Sequence, residues 1–195
     1  MKQIIVKGEN VLNVPNAISL YRLLVFPLIL FMALTGRENW FVVLLSISLV
    51  SDALDGSIAR YFKLQTNFGA ALDNLADICT YAMALLGIFI FKWTDIEPHA
   101  WILYLFLGLF IFSYIVAFYR FRKIPGLHLY SAVSAGYIQS IFFFVLFVFG
   151  FYSWMYYLAL GWGVIAYTEK ILVLFRLDDI KIGVKGLYWL MKKEK

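Results

Sequence analysis

The chain has 195 residues, a formal net charge of +5 and a hydrophobic fraction of 63%. Soluble domains average about 45–50% apolar residues, so this composition excludes an ordinary soluble globular protein. The basic residues cluster beside apolar runs, which indicates contact with anionic membrane lipids and no role for nucleic acid.

Six apolar runs follow one another along the chain, and several reach the roughly 20 residues that a membrane-spanning helix needs. They cover residues 17–34, 40–61, 69–93, 100–119, 129–151 and 154–175. Residues 1–14 predict a short interfacial segment before the first span, and residues 176–195 predict an interfacial or cytoplasmic tail. We therefore predict an all-α fold, a polytopic membrane bundle of six transmembrane helices, with 1–195 as one domain and 15–175 as its core.

An even number of spans places both termini on the same side of the membrane. Of the 17 Lys and Arg residues, only Arg37 and Lys92 fall at the turns on the opposite side. Because positively charged loops are retained in the cytoplasm, this asymmetry predicts cytoplasmic termini. In a bacterium the protein would then lie in the inner membrane.

Residues 51–81 hold four acidic side chains between apolar stretches: Asp52, Asp55, Asp73 and Asp77. Each carboxylate at membrane depth costs roughly 2.5–3.5 kcal/mol on insertion scales, so a function is expected for them. The first two are three residues apart and the last two are four apart, so each pair shares one face of its helix. If the two helices are antiparallel, the four carboxylates converge on the side of the membrane that holds the termini.

Such a cluster repels itself unless cations neutralise it. Hard oxygen ligands suit Mg²⁺, Mn²⁺ or Ca²⁺ better than zinc, and two such ions commonly clamp a phosphoryl group. The small residues Gly56, Ala59 and Gly69 leave space beside the cluster, either for a flat ligand group or for close helix packing. Arg60 could form a forked pair with a phosphate.

The acidic residues belong to the pattern Asp-x2-Asp-Gly-x2-Ala-Arg-x8-Gly-x3-Asp-x3-Asp, which resembles the signature of the CDP-alcohol phosphatidyltransferase family. The six-span layout is similar to that family as well. The pattern is met at every position by Asp52, Asp55, Gly56, Ala59, Arg60, Gly69, Asp73 and Asp77.

The resemblance implies that an alcohol attacks the lipid-bearing phosphoryl group of a CDP-linked lipid, usually CDP-diacylglycerol, releasing CMP in phospholipid synthesis. It also implies Mg²⁺ or Mn²⁺ as cofactor, with two ions expected. By this resemblance the metal ligands are Asp52, Asp55 and Asp73 with Asp77 close by, and Asp77 is the general base. The implied nucleotide site comprises Asp52, Gly56, Ala59, Arg60, Thr66 and Gly69.

The acceptor alcohol has no comparable motif. Arg120, Arg122 and Lys123 end the fourth span, where they could bind a phosphate on the acceptor or simply anchor the chain at the cytoplasmic surface. Serine, glycerol phosphate and inositol phosphate are all compatible with the sequence. Many relatives are homodimers, so a homodimer is the expectation by analogy.

Two other interpretations of the acidic cluster were weighed. A cation channel or transporter would use an Asp-lined site near the midplane, reachable from both faces, and would have no need for the small residues or Arg60. A structural homologue without activity would be expected to have lost an aspartate, and all four are present. The enzyme interpretation therefore accounts for more of the pattern.

Overall fold

The computed structural model describes residues 13–62, 66–122, 129–177 and 186–193, without the side chains of residues 53, 55–60, 67, 70 and 193. All regular structure in these ranges is helical, which confirms the all-α prediction. The predicted interfacial segment falls on residues 1–14, of which 1–12 lie outside the described ranges. The helices are α1 (Val14–Leu34), α2 (Glu38–Tyr61), α3 (Asn67–Phe91), α4 (Trp93–Ile96), a 3-10 turn (Glu97–His99), α5 (Ala100–Phe121), α6 (Tyr130–Val148), α7 (Ser153–Arg176) and α8 (Leu187–Lys193).

The apolar helices make this an integral membrane protein. Five stretches are long and apolar enough to cross a bilayer: Val14–Leu34, Ala71–Phe91, Trp93–Phe121, Tyr130–Val148 and Ser153–Arg176. The remaining long helix, α2, becomes polar in its second half, which contains Asp52 and Asp55. Many large apolar side chains on these helices are exposed, as expected for surfaces that face lipid. Six long helices therefore agree with the predicted number of spans.

The chain divides into two compact units, Met1–Asp95 and Ile96–Lys195. In the first unit, α1 packs against both α2 and α3. In the second unit, α5 and α6 pack against α7, and the short α8 also contacts α7. That the whole chain forms one domain remains a prediction.

The first turns of α1 and α3 are fixed by side-chain N-caps that lie next to each other. The side chain of Asn13 accepts a hydrogen bond from the Asn16 N–H at 2.9 Å, and Pro15 sits in the first turn, where its missing N–H has no helical partner. The Thr66 hydroxyl accepts from the Gly69 N–H at 2.9 Å and so caps α3. Asn16 also donates to Thr66 at 3.4 Å, which joins the two helix starts.

In the second unit, α8 is held by a polar anchor and by apolar packing. Glu169 on α7 accepts a hydrogen bond from the Ser131 hydroxyl of α6 and another, at 2.8 Å, from the Leu187 N–H that begins α8. The neighbouring Lys170 instead places its ammonium 4.2 Å from the centre of the Tyr114 ring. Residues 169 and 170 therefore have separate partners. The apolar cluster beneath α8 comprises Val116, Ala117, Leu129, Val173, Leu174 and Leu177, with Leu187 and Leu190 packed against it.

Candidate active site

The predicted acidic cluster forms at one end of the first unit. Asp52 comes from α2, while Asp73 and Asp77 come from successive turns of α3. At 1.5 Å per residue, they lie about 9–15 Å from the end of α2 and the start of α3. The cluster is therefore set into the bundle at a modest depth below the ends of its helices.

An arginine from α1 lies among these carboxylates. One terminal nitrogen of Arg22 is 2.8 Å from Asp52 Oδ1 and 3.2 Å from Asp73 Oδ1. The other terminal nitrogen is 2.5 Å from Asp77 Oδ1. The Arg22 side chain is fully buried, whereas the three carboxylate side chains keep exposed fractions of 26%, 39% and 37%. A solute can thus reach the three acids, whereas the Arg22 side chain is shielded from it.

The donor set fits a hard divalent cation. One carboxylate oxygen from each of Asp52, Asp73 and Asp77 lies within 4.8 Å of the other two. Oxygen-only ligands of this kind suit Mg²⁺ or Mn²⁺, and no His or Cys belongs to this group. Asp55 lies on α2 three residues after Asp52, and its side chain is outside the part of the chain that the structure describes. The structure therefore brings three of the four predicted ligands together.

The residues predicted for the nucleotide are described only in part. Gly56, Ala59 and Arg60 lie in α2, but their side-chain environment is outside the described part of the structure. Thr66 acts as the cap of α3, and Gly69 is the residue that receives this cap. A Cβ atom on Gly69 would lie 2.2 Å from Asn16 Oδ1, so the space beside this glycine is occupied by the start of α1. The sequence left open whether the small residues make space for a flat ligand group or for close helix packing. At Gly69 the structure shows close helix packing.

The basic residues proposed for the acceptor have structural partners in the second unit. Arg120 donates a hydrogen bond to the Phe175 carbonyl near the end of α7. Arg122 follows α5 in the left-handed conformation, with φ of 53°, and its guanidinium lies 5.9 Å from the centre of the Phe118 ring. Lys123 is outside the described residues. Anchoring of helix ends explains the two observed arginines without a ligand.

Two residues of this site were not singled out from the sequence. Arg22 lies inside the first apolar run, and a charge at membrane depth itself predicts a buried acidic partner. Asn16 follows Pro15 at the start of the first span, and its local sequence predicts no contact with α3. Its contact with Gly69 depends on how closely α1 approaches α3, which residue spacing within either helix does not specify.

Together, the fold and the cluster define a helical membrane protein with an acidic, metal-compatible centre at one end of a three-helix unit. The sequence profile of the CDP-alcohol phosphatidyltransferase family matches residues 12–172. The chain belongs to this family, and the match includes α1, α2 and α3, which carry the acidic cluster.

Curated relatives have related names. The chain is 33% identical over 99 residues to a Streptomyces coelicolor protein named cardiolipin synthase (CMP-forming), covering 48% of this chain and 45% of that protein. It is 37% identical over 87 residues to the CDP-diacylglycerol–glycerol-3-phosphate 3-phosphatidyltransferase of Aquifex aeolicus, covering 45% and 49%. An Escherichia coli protein of the latter name is 30% identical over 77 residues, covering 38% and 42%. The aligned part thus spans less than half of each of these relatives. No solved structure matches the chain.

Proposed function

We propose that this protein transfers a phosphatidyl group from CDP-diacylglycerol to the hydroxyl of a small polar alcohol, with release of CMP, in phospholipid synthesis. The observation that carries the proposal is the convergence of Asp52, Asp73 and Asp77 within 4.8 Å in a chain of this family. The names of the relatives support the choice of donor, since one of them contains CDP-diacylglycerol and another states that CMP is formed.

Asp52, Asp55, Asp73 and Asp77 are the residues that would hold divalent metal, with Mg²⁺ or Mn²⁺ as the ion and two ions as the expected number. When bound, the metal neutralises charge on the pyrophosphate and stabilises the departing CMP. The protein contributes ligands from two helices whose relative position is fixed by the packing of both against α1. Because the carboxylates of Asp52, Asp73 and Asp77 are partly exposed, a ligand can approach these three without unfolding the helix ends.

Asp77 is the proposed general base for the acceptor. A base must lie within hydrogen-bond reach of the hydroxyl proton that it removes. The carboxylate of Asp77 is 37% exposed and can receive that proton as the acceptor oxygen bonds to phosphorus. The bond between phosphorus and the oxygen of CMP breaks in the same displacement, and CMP leaves with that electron pair.

The nucleotide part of the donor is proposed to bind beside the second half of α2. Asp52, Gly56, Ala59 and Arg60 follow one another on this helix, with Thr66 and Gly69 at the start of α3. The small residues of α2, Gly56 and Ala59, would allow the cytidine to lie close to the helix backbone, and Arg60 would pair with a phosphate. The acyl chains would remain in the lipid next to the exposed apolar faces of the helices.

The acceptor is proposed to be a small polar alcohol that binds from the cytoplasmic side, where Arg120, Arg122 and Lys123 could contact it. The printed name of the Aquifex aeolicus relative specifies glycerol 3-phosphate, which makes this compound the first to try. Both termini and the active site are proposed to be cytoplasmic, because 15 of the 17 basic residues lie on that side or within a span near it. A homodimer is the proposed assembly.

The direct test is CMP release by the purified protein from CDP-diacylglycerol in mixed micelles. Acceptors to compare are serine, glycerol 3-phosphate, inositol, inositol phosphate and phosphatidylglycerol, each with Mg²⁺ or Mn²⁺ and each repeated with excess EDTA. We expect metal-dependent CMP release with at least one acceptor. Absence of CMP with every acceptor would reject the proposal. Metal-ion flux through vesicles that contain the protein would instead support the channel interpretation.

A further inference from the structure

Arg22 contacts all three carboxylates of the cluster through a single buried guanidinium. Its two terminal nitrogens lie 2.5–3.2 Å from the Oδ1 atoms of Asp52, Asp73 and Asp77. Arg22 belongs to α1, Asp52 to α2, and Asp73 and Asp77 to α3. The arginine therefore links α1 to both α2 and α3. One positive charge thus offsets three carboxylates that would otherwise repel each other at membrane depth.

The same three carboxylates would have to serve a divalent ion. Mg²⁺ binds oxygen at about 2.0–2.1 Å and requires its ligands to point at the ion. The carboxylate oxygens that contact Arg22 point at the guanidinium, and Arg22 lies between residues of α2 and α3. An ion on these Oδ1 atoms would therefore occupy space that Arg22 fills, and it would place a second cation against the first.

We propose that Arg22 is an exchangeable counter-cation of the acidic centre, which holds the cluster together without metal and competes with divalent metal for its carboxylates. The inference rests on the proposed function only in taking these aspartates as metal ligands. Competition has a definite sign, since removing the competing charge must tighten metal binding. If Arg22 instead holds the carboxylates in position for the metal, removing it should weaken metal binding, because the ligands would lose their support.

The variants Arg22→Gln and Arg22→Lys test this sign. Gln keeps similar bulk without the charge, whereas Lys keeps the charge but cannot reach three carboxylates at once. The control is Lys92→Gln, which removes a cation of the same unit that pairs with Glu38 at 2.7 Å. Mn²⁺ alone is titrated into purified, metal-free protein, and free Mn²⁺ is followed by electron paramagnetic resonance, with no lipid substrate present.

We expect the dissociation constant for Mn²⁺ to fall about tenfold in Arg22→Gln, to fall less in Arg22→Lys and to stay unchanged in Lys92→Gln. In EDTA, Arg22→Gln should unfold at a lower temperature than the parent protein. Saturating Mn²⁺ should raise its unfolding temperature by more than it raises that of the parent, because tighter binding stabilises the native state more.

Weaker or unchanged Mn²⁺ binding in the Arg22 variants would overturn the proposal. If Arg22→Gln does not fold, Arg22→Lys decides the sign on its own. Because the readout is metal binding, the result is separate from that of the CMP assay. A protein that releases no CMP could still show the competition, and an active enzyme could fail to show it.

Discussion

At the scale of single residues, the site depends on contacts between groups that are far apart in sequence. Arg22 and Asp77 are 55 positions apart, and Asn16 and Thr66 are 50 apart. Burying an unpaired charge is strongly unfavourable, so Arg22 and its carboxylates stabilise the unit only as a set. The side chains that neutralise the cluster are therefore also the ones that fix α1 against α2 and α3.

Gly69 is a residue whose replacement tests this packing. Gly69→Ala would put a Cβ atom 2.2 Å from Asn16 Oδ1 and 2.8 Å from Thr66 Oγ1, so these two side chains would have to leave their positions or α1 and α3 would have to move apart. We expect a loss of roughly 1–3 kcal/mol in stability from overpacking, measured by thermal unfolding in detergent. The matched control is Gly108→Ala on α5, where no atom lies within 4 Å of the added carbon.

The Asn16→Ala background identifies the cause of this loss. If the clash with Asn16 is responsible, adding Gly69→Ala to Asn16→Ala should cost clearly less than adding it to the parent protein. An equal cost in both backgrounds would show that the contact with Asn16 does not determine the requirement for glycine.

The grouping of the acidic residues was predictable from sequence, whereas their contact with Arg22 was not. Spacings of three and four residues are local properties of a helix, so the pairing of Asp73 with Asp77 follows from the sequence. Which α1 side chain reaches them depends on the rotation of α1 about its axis. The polar residues Asn16, Ser19 and Arg22, spaced three apart and all buried, were the sequence signal for that rotation. The charge of Arg22 was visible in the sequence, and only the structure identifies its partners.

At the scale of secondary-structure elements, the six long helices begin and end within a few residues of the predicted spans. The agreement reflects long apolar runs interrupted by polar turns, a pattern that depends on composition over many residues and tolerates local exceptions. The second half of α2 shows this most clearly, because it remains helical as far as Tyr61 although it contains Asp52 and Asp55. The tail predicted over residues 176–195 is described only at 176–177 and 186–193, where Arg176 ends α7 and Leu187–Lys193 form α8.

The position of α8 is expected to depend on Glu169. Glu169→Ala removes the acceptor for the Leu187 N–H and for the Ser131 hydroxyl, so the first turn of α8 loses its cap. We expect amide hydrogen exchange in residues 187–193 to become roughly 5- to 30-fold faster, corresponding to about 1–2 kcal/mol. The edge-to-face contact of Trp189 with Tyr130 should loosen as well, which tryptophan fluorescence would report.

Thr168→Ala is the matched control for this experiment. Thr168 is the exposed neighbour of Glu169, and its hydroxyl donates to the Val164 carbonyl within α7. Exchange in α8 should be the same in this variant as in the parent protein. Unchanged exchange in Glu169→Ala would mean that apolar packing alone holds α8.

At the scale of the whole molecule, the orientation in the membrane is a prediction from the distribution of basic residues. The two cations predicted for the non-cytoplasmic side are Arg37 and Lys92, and Lys92 is paired with Glu38 at 2.7 Å. Single cysteines at Glu97 and Lys192, in a Cys79→Ser background, would measure the orientation. In bacterial spheroplasts, a membrane-impermeant maleimide should label position 97 and leave position 192 unlabelled until the membrane is opened. The reverse pattern would contradict cytoplasmic termini.

In the proposed function, the acidic cluster catalyses phosphatidyl transfer with Asp77 as the base. The most direct measurement compares CMP release from CDP-diacylglycerol, with metal and the preferred acceptor, by the parent protein, Asp77→Asn and Asp95→Asn. Asp95 is an exposed carboxylate in α4, outside the cluster, and serves as the control. We expect Asp77→Asn to lower the rate of CMP release by roughly 10²–10⁴-fold while the variant stays folded. Asp95→Asn should keep the parent rate. Parent-level CMP release by Asp77→Asn, or an equal loss in both variants, would contradict this proposal.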